Sequence, residues 1–340
     1  MRELLPDLEN WLNQGERVAL ATVISTWGSA PRRPGSTMAV NENGAIAGSV
    51  SGGCVEGAVI QTSQQVIQTG NPQRLHFGVA DETAWDVGLA CGGEIDVFLQ
   101  PAVPEIFADL MRKLKSDQRI VLVTVIEGDE RGAQILFNDH GALLASTDSL
   151  PLDPTLGRLQ PGVRKIGNRE VFVNPILPQP TLIMVGGVHI AVALAKIARI
   201  ENFRTVIVDP RKAFGSAERF SHADKLIQDW PSSAFDQFSI SQSTALASLS
   251  HDPKIDDPAL LAALSSDAFY IGALGSRTTQ EKRRTRLLNE GISEEQLKRL
   301  HAPIGVEIGA ETPEEIALAI MAEVIAAYRH LSANNAHLHE

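Results

Sequence analysis

Apolar runs rich in β-branched residues, punctuated by Gly, Pro and Asn, set the rhythm of the first half of the chain. Arg17–Ile24 (RVALATVI) reads as a buried strand. After a loop at Gly28–Gly35, the stretch STMAVNENGAIAGS predicts two short strands around Asn43-Gly44, a dipeptide favoured in hairpin turns. Cys54–Gln68 reads as a helix with Val55, Val59, Val66 and Ile67 on its apolar face, and Ile95–Leu99 as a further strand. Met1–Glu16 has the pattern of an amphipathic helix (Leu4, Leu5, Leu8, Trp11, Leu12) broken by Pro6.

The pattern then repeats. Arg119–Ile126 (RIVLVTVI) matches Arg17–Ile24, Asn138–Ser146 (NDHGALLAS) matches Asn41–Ser49 (NENGAIAGS), and Val171–Pro178 (VFVNPILP) matches Val97–Pro104 (VFLQPAVP). The second copy lacks three segments of the first: GSAPRRPG, SGGCVEG and CGG. Segments that only served folding would be expected in both copies, so their absence points to function in the first. The alternative is that they are longer loops, or that they pack the two copies together.

Leu177–Pro180 (LPQP) breaks the pattern. Beyond it, the strand Thr181–Val185, a helix in GGVHIAVALAKIARI and the strand Thr205–Val208 ending at Asp209 form a βαβ unit, with the acidic residue about twenty positions after the glycines. Ala268–Ile271 predicts another strand, leading into Gly272–Arg277 (GALGSR) and a charged helix. A long helix runs from Pro313 to about Leu331, begun by a capping box of Thr312 and Glu315. The expected fold class is α/β: an internally duplicated α+β domain over residues 1–178, then a Rossmann-like parallel-sheet domain over residues 181–340. A chain of 340 residues suits two cores, since single cores stop growing at roughly 250–300 residues.

Composition narrows the function classes. With 44% hydrophobic residues and a net charge of −11, a general nucleic-acid surface is excluded and any phosphate binding must be local. No N-terminal apolar region reads as a signal peptide and no apolar run of ~18 residues is present, so the expectation is a cytoplasmic protein that spans no membrane. The cysteines, Cys54 and Cys91, are then expected to be reduced, and without a close His pair they make a poor zinc site.

Trp27–Glu56 concentrates glycines beside Arg32, Arg33 and Cys54, as expected where backbone is brought close to something else. Cys54 follows Gly52-Gly53 at the start of a predicted helix, where the dipole favours a thiolate, and thiolates are ligands for soft metals; the alternative for Cys54 and Cys91 alike is a small buried hydrophobe. In the second half, Val188 occupies the middle position of the dinucleotide fingerprint after Gly186 and Gly187, where glycine normally lets backbone approach a pyrophosphate. Asp209 is placed to hold ribose hydroxyls, and His189 stands at a helix N-terminus. NAD(P) binding, as in an NAD(P)-dependent oxidoreductase or another nucleotide-binding protein, a bare structural unit, and a pterin nucleotide or other phosphate ligand all remain open here. Ser276 and Arg277 offer donors for a phosphate, or form a Gly-rich turn whose arginine pairs with a carboxylate. His301 is either a second wall of that cleft or a hydrogen-bonded structural residue.

Together these motifs resemble the XdhC/CoxI family of xanthine dehydrogenase accessory proteins. TVISTWGSAPRRPGSTM, GSVSGGCVEG and CGGEIDVF resemble its N-terminal domain; VGGVHIAVALAKIA, VIVDPRKAF, YIGALGSR and HAPIGVEIGAETPEEIALAIMAEVIA resemble its Rossmann-like C-terminal domain. The resemblance implies a chaperone that binds molybdenum cofactor, as molybdopterin or its dinucleotide form. Such a chaperone protects the cofactor while a cysteine desulfurase exchanges an oxo for a sulfido ligand, and hands it to an apo molybdenum hydroxylase. A homodimer would suit a chaperone that serves dimeric enzymes. The matching positions are Gly28, Ser29, Arg32, Gly35, Ser51, Gly52, Gly53 and Cys54, then Cys91, Gly92 and Gly93. In the C-terminal domain they are Gly186, His189, Asp209, Arg211, Gly272, Gly275, Ser276 and Arg277, with Gly187 beside them. Cys54 is implied as a transient molybdenum or sulfur ligand. Val188 departs from the family, which usually has glycine there, and weakens any dinucleotide role.

Overall fold

The computed structural model describes residues 4–30, 32–53, 55–78, 92–116, 118–138, 140–147 and 161–334. The chain divides into two compact units, Met1–Leu177 and Pro178–Glu340.

Unit one opens with α1 (Leu5–Asn13). Pro6 begins this helix instead of breaking it: in the first turn its missing N–H has no intrahelical partner to lose, and Leu5, Leu8 and Trp11 are buried. Then follow β1 (Val18–Trp27), β2 (Thr37–Asn41), β3 (Ile46–Gly48), α2 (Glu56–Thr69), β4 (Gln73–Phe77), β5 (Glu94–Pro101) and α3 (Pro104–Lys115). The second copy supplies β6 (Ile120–Glu127), β7 (Gln134–Asn138), β8 (Leu143–Ser146), β9 (Gly162–Ile166) and β10 (Arg169–Ile176).

The duplication is complete at the level of topology. Each copy forms a five-stranded antiparallel sheet, ordered β3-β2-β1-β5-β4 and β8-β7-β6-β10-β9. It extends to single hydrogen bonds. Asn41 Oδ1 accepts from the N–H of Asn43 (3.1 Å) and Ala45 (2.7 Å), and Asn138 Oδ1 from His140 (3.0 Å) and Ala142 (2.8 Å). The register of β1 on β5 skips at Ile24, and that of β6 on β10 at the matching Ile126; each is a β-bulge, one extra residue on one strand. Those two isoleucines meet Phe98 and Phe172 in a small core joining the sheets. Helix α2 covers the other face of the first sheet, packing Val59, Val66 and Ile67 against Ala21, Val23, Val97 and Leu99. Helices α1 and α3 share a core with Leu20 and Leu122 of the two copies.

Unit two contains β11 (Thr181–Val185), α4 (His189–Ile200), β12 (Arg204–Val208), β13 (Lys225–Ile227), α5 (Pro231–Phe235) and β14 (Thr244–Ser248). It continues with α6 (Pro253–Leu264), β15 (Tyr270–Ala273), α7 (Arg277–Asn289), α8 (Glu294–Leu297), β16 (Leu300–His301) and α9 (Pro313–Asn334). Its six strands are all parallel, in the order β13-β12-β11-β14-β15-β16. Helices α4 and α9 pack on one face and α6 and α7 on the other, the Rossmann-like arrangement. The strand expected at Ala268–Ile271 starts two residues later, at Tyr270. The capping box at α9 is formed: Thr312 Oγ1 accepts from the Glu315 N–H at 3.2 Å, and Glu315 Oε2 from the Thr312 N–H at 3.0 Å.

A buried ion pair ties the α6 and α7 helices to the strand ends. Asp256 Oδ1 accepts from Ser250 Oγ at 2.7 Å, and Asp256 Oδ2 lies 3.3 Å from Arg283 Nη2, with both side chains almost wholly buried. Replacing one partner strands the other charge in the interior. Asp256→Ala is expected to destabilise unit two by about 3–5 kcal/mol, read from urea unfolding. Gly57 sits inside α2 with open space around it, so Gly57→Ala is expected to stabilise by about 0.5–1 kcal/mol in the same assay.

Candidate functional site

The strand directions bring the three signature segments to one end of the first sheet. β1 ends there at Trp27, opposite Glu94 where β5 begins, while Thr37 at the start of β2 lies opposite Thr22. β3 ends there at Gly48, opposite Met38, and β4 ends there at Phe77, opposite Ile95. GSAPRRPG, SGGC and CGG therefore all leave or enter strands at the same edge.

Two of the segments touch through backbone. Gly28 has φ +67°, and a Cβ built on Gly93 would lie 2.8–2.9 Å from backbone atoms of Ser29 and Ala30. No side chain fits at Gly93. The close approach read from the glycines is, at these positions, one signature against another. Gly35 answers to a different partner: a Cβ there would stand 2.9 Å from Asn174 Oδ1 of the second copy. It has a counterpart, Gly132, whose N–H donates to Val125 O at 2.8 Å as that of Gly35 does to Val23 O at 2.8 Å. Gly35 thus packs against the second copy, and the second copy keeps the residue.

The loop over Ser49–Gly53 closes on Glu56. Glu56 Oε1 accepts from Ser49 Oγ (2.8 Å) and from the N–H groups of Ser51 (2.9 Å) and Gly52 (3.0 Å). Oε2 accepts from the Gly53 N–H (2.8 Å) and from Ser51 Oγ. Burial opposes the charge, yet hydrogen bonds from Ser51, Ser49 and Gly53 outweigh it and hold the carboxyl down from 4.5 to about 2. The amides of Ser51, Gly52 and Gly53, which the sequence offers to a ligand, are thus spent on the chain's own carboxylate. Glu56 was invisible as a site residue in the sequence; its signal was a carboxylate five positions after Ser51 at the first turn of a helix.

What stays open is the outer side of this loop. Gly52, Gly53 and Gly92 are exposed, have φ of +85°, +132° and +71°, and have nothing within 4 Å of an added Cβ. Arg32 and Arg33 have no ion pair among the described residues. Helix α2 begins at Glu56 with Val55 as N-cap, two residues later than expected. Cys54 and Cys91 lie outside the described residues.

In unit two the dinucleotide fingerprint is closed by its own chain. Asp209 is fully buried and both oxygens are in use. Oδ2 accepts from the Gly187 N–H (2.7 Å) and Arg211 Nη2 (2.8 Å), and Oδ1 from Arg211 N–H (2.9 Å) and Nε (2.9 Å). Burial opposes its charge, and the bonds from Arg211 and Gly187 overcome that and keep it below the usual carboxylate range. A Cβ on Gly187 would lie 2.6 Å from Phe214 O, and one on Gly186 would lie 2.7 Å from the Ser250 nitrogen. Arg211 stacks on the Phe214 ring at 4.3 Å. The close approach that a pyrophosphate would make at these glycines is made by the Phe214 and Ser250 backbones.

Val188 is the N-cap of α4 and His189 its exposed first residue. Gly272 is a packing glycine: a Cβ there would meet Ile304 at 2.5 Å. Gly275 has φ +136° and leads to Ser276, the N-cap of α7, whose Oγ accepts from the Thr279 N–H at 3.3 Å. Arg277 is exposed and pairs with no described carboxylate. His301 takes the structural role: its Nδ1 is 2.9 Å from Glu323 Oε1, and Glu323 Oε2 accepts from Tyr270 Oη (2.6 Å) and the Gly305 N–H (2.7 Å).

Glu56→Gln is expected to cost about 1–3 kcal/mol near neutral pH. A carboxylate with a depressed pKa stabilises above its unfolded value of 4.5 and stops doing so as pH falls through about 2. Urea midpoints of variant and wild type should therefore converge across that window. NADH, titrated by fluorescence, should show no micromolar saturable binding, because Asp209 has no free lone pair for ribose. Saturable binding that Asp209→Asn abolished would reverse this account.

Models of protein families match both units. One described as the XdhC and CoxI family matches residues 11–78, and one described as the XdhC Rossmann domain matches residues 182–324. A Bacillus subtilis protein whose name makes it a probable component of xanthine dehydrogenase is 29% identical over 329 residues, covering 94% of this chain and 95% of its own. An Escherichia coli protein named molybdenum cofactor insertion chaperone PaoD is 28% identical over 320 residues, covering 94% of this chain and 86% of its own. A crystal structure described as a xanthine dehydrogenase from Bacillus halodurans has a TM-score of 0.75 at 25% identity, covering 96% of each chain.

Proposed function

Because this chain belongs to the XdhC and CoxI family, we propose that it is a maturation factor that binds molybdenum cofactor and delivers it to an apo molybdenum hydroxylase of the xanthine dehydrogenase type. The observation that carries the reading is the convergence of GSAPRRPG, SGGC and CGG at one end of the first sheet. The names of two relatives, one for xanthine dehydrogenase and one for cofactor insertion, support it.

The residues fit the chemistry of the group. Molybdenum cofactor is a pterin bearing a dithiolene and a phosphate, or a nucleotide in the dinucleotide form. Arg32 and Arg33 supply cations for the phosphate, and Gly52, Gly53 and Gly92 leave room for backbone to lie against a ring. When bound, the cofactor brings the molybdenum centre that the hydroxylase uses. The chain's part is to hold it, keep water from it and release it. In this proposal Cys54, next to Gly53 in the chain, is the transient molybdenum or sulfur ligand, Cys91 is a further cofactor-binding residue, and a cysteine desulfurase acts while the cofactor is held. In this proposal unit two, whose fingerprint is internally closed, does not serve as a dinucleotide site.

The test is anaerobic titration with isolated molybdenum cofactor, following molybdenum retained after desalting. Wild type should retain it stoichiometrically. Arg32→Gln should weaken retention about tenfold, the ~1.4 kcal/mol at the low end of a charge-assisted hydrogen bond, and Cys54→Ser should lose retention. A wild type that retains no molybdenum overturns the proposal.

A further inference from the structure

Two rows inside the same sheet end, three side chains stand abreast on three strands. Ser25 on β1 lies opposite Asp96 on β5, and His76 on β4 lies opposite Asp96 from the other side. Asp96 Oδ2 accepts from Ser25 Oγ (2.9 Å) and Arg74 Nη2 (2.8 Å), while Oδ1 lies 2.7 Å from His76 Nδ1. Burial opposes the charge on Asp96, and the bonds from Arg74, His76 and Ser25 hold the carboxyl below its ordinary range. An ionised carboxylate can only accept, so Nδ1 carries a proton and Nε2 is the nitrogen that offers a lone pair whenever the ring carries one proton. Asp96 is 15% exposed but the His76 side chain is 62% exposed, and Nε2 has no hydrogen-bond partner among the described residues. A Cβ built on Gly78, the residue after β4, would lie 3.3 Å from that Nε2 and 3.6 Å from Glu94 Cγ. The imidazole is oriented, and its acceptor lies beside Gly78, which also neighbours Glu94, the residue after Gly93 of CGG.

The second copy serves as the control. Glu127 stands where Ser25 does, Glu170 opposite it where Asp96 does, and Lys165 opposite Glu170 where His76 does. There the row works as counter-charge: Glu170 Oε2 accepts from Arg74 Nη1 at 3.3 Å, and Glu127 lies 3.9 Å from the same nitrogen. The oriented imidazole belongs to the first copy alone, as SGGC and CGG do. A histidine that only braced the sheet would need its Nδ1 and nothing beyond.

We infer that His76 is a further ligand-binding residue of the first-sheet site: its Nε2 accepts a hydrogen bond from an N–H of the heterocycle that the signature segments hold, with Asp96 as its positioning residue. The inference rests on the function proposed above, in which that heterocycle is the pterin of the cofactor, whose ring amide and amino group supply N–H donors.

The experiment compares wild type, His76→Asn, His76→Gln and Lys165→Gln in two assays: retention of isolated molybdenum cofactor, and quenching of the fluorescence of neopterin, a pterin without metal. Asparagine keeps a donor for Asp96 and removes the acceptor at the Nε2 position; glutamine places an amide oxygen near it. His76→Asn is expected to weaken both signals about tenfold or more, His76→Gln to recover part of the loss, and Lys165→Gln to match wild type, with equal thermal midpoints throughout. If wild type retains cofactor and His76→Asn retains it equally, His76 is structural and the inference falls while the proposed function stands. If wild type retains no cofactor yet quenches neopterin in a His76-dependent way, the chaperone function falls and the assignment of His76 stands. A wild type that takes up neither probe overturns both.

Discussion

The carboxylate of Glu56 decides what the signature end of the first sheet can be. Six glycines between Trp27 and Glu56 would leave the backbone there loose, since each ordered glycine gives up more conformational freedom than any other residue. One half-buried charge, gathering the amides of Ser51, Gly52 and Gly53 and the hydroxyls of Ser49 and Ser51, fixes the loop in a single shape. Its cost in desolvation is offset by donors that would otherwise lack partners at the entry to α2. The exposed apex, with Cys54 next in the chain, is held out by this anchorage.

Unit two repeats the device with Asp209, which gathers the Gly187 amide and the Arg211 guanidinium in the place where a dinucleotide-binding fold leaves a carboxylate for ribose. A parallel sheet with a glycine turn and an acid at the end of its second strand satisfies the sequence pattern of a nucleotide site while having consumed the site's donors and acceptors internally. Fold and pattern are shared, and the lone pairs are not.

The sheet architecture was legible because it is written in alternation and in turn chemistry. The paired runs RVALATVI and RIVLVTVI, and the matched Asn41 and Asn138 turns, announce a duplication that the hydrogen bonds reproduce. Pro6 misleads because proline ends a helix from inside but suits its first turn. The glycines were legible as places of close approach, but not with regard to what approaches. Gly35 faces Asn174, Gly93 faces Ser29, and Gly187 faces Phe214, all residues far away in sequence. Glu56, Asp96 and His76 escaped notice for a similar reason. Each is an ordinary polar residue until tertiary structure supplies its neighbours, and no local period or motif records that.

The bulges at Ile24 and Ile126 had a visible part in joining the two sheets, but they also set the phase of everything beyond them. Side chains alternate along a strand, so one extra residue reverses the faces of all that follow. Leu20, Thr22 and Ile24 point toward the second copy, and in an unbroken strand Ser25 would point away, into the core beneath α2. The inserted residue turns Ser25 back to the side of Asp96, and the equivalent insertion turns Glu127 toward Arg74. The polar end of this duplicated unit is therefore a frameshift in three dimensions: remove a single residue from either strand, and the same amino acids would present their hydroxyl or carboxylate to the opposite face.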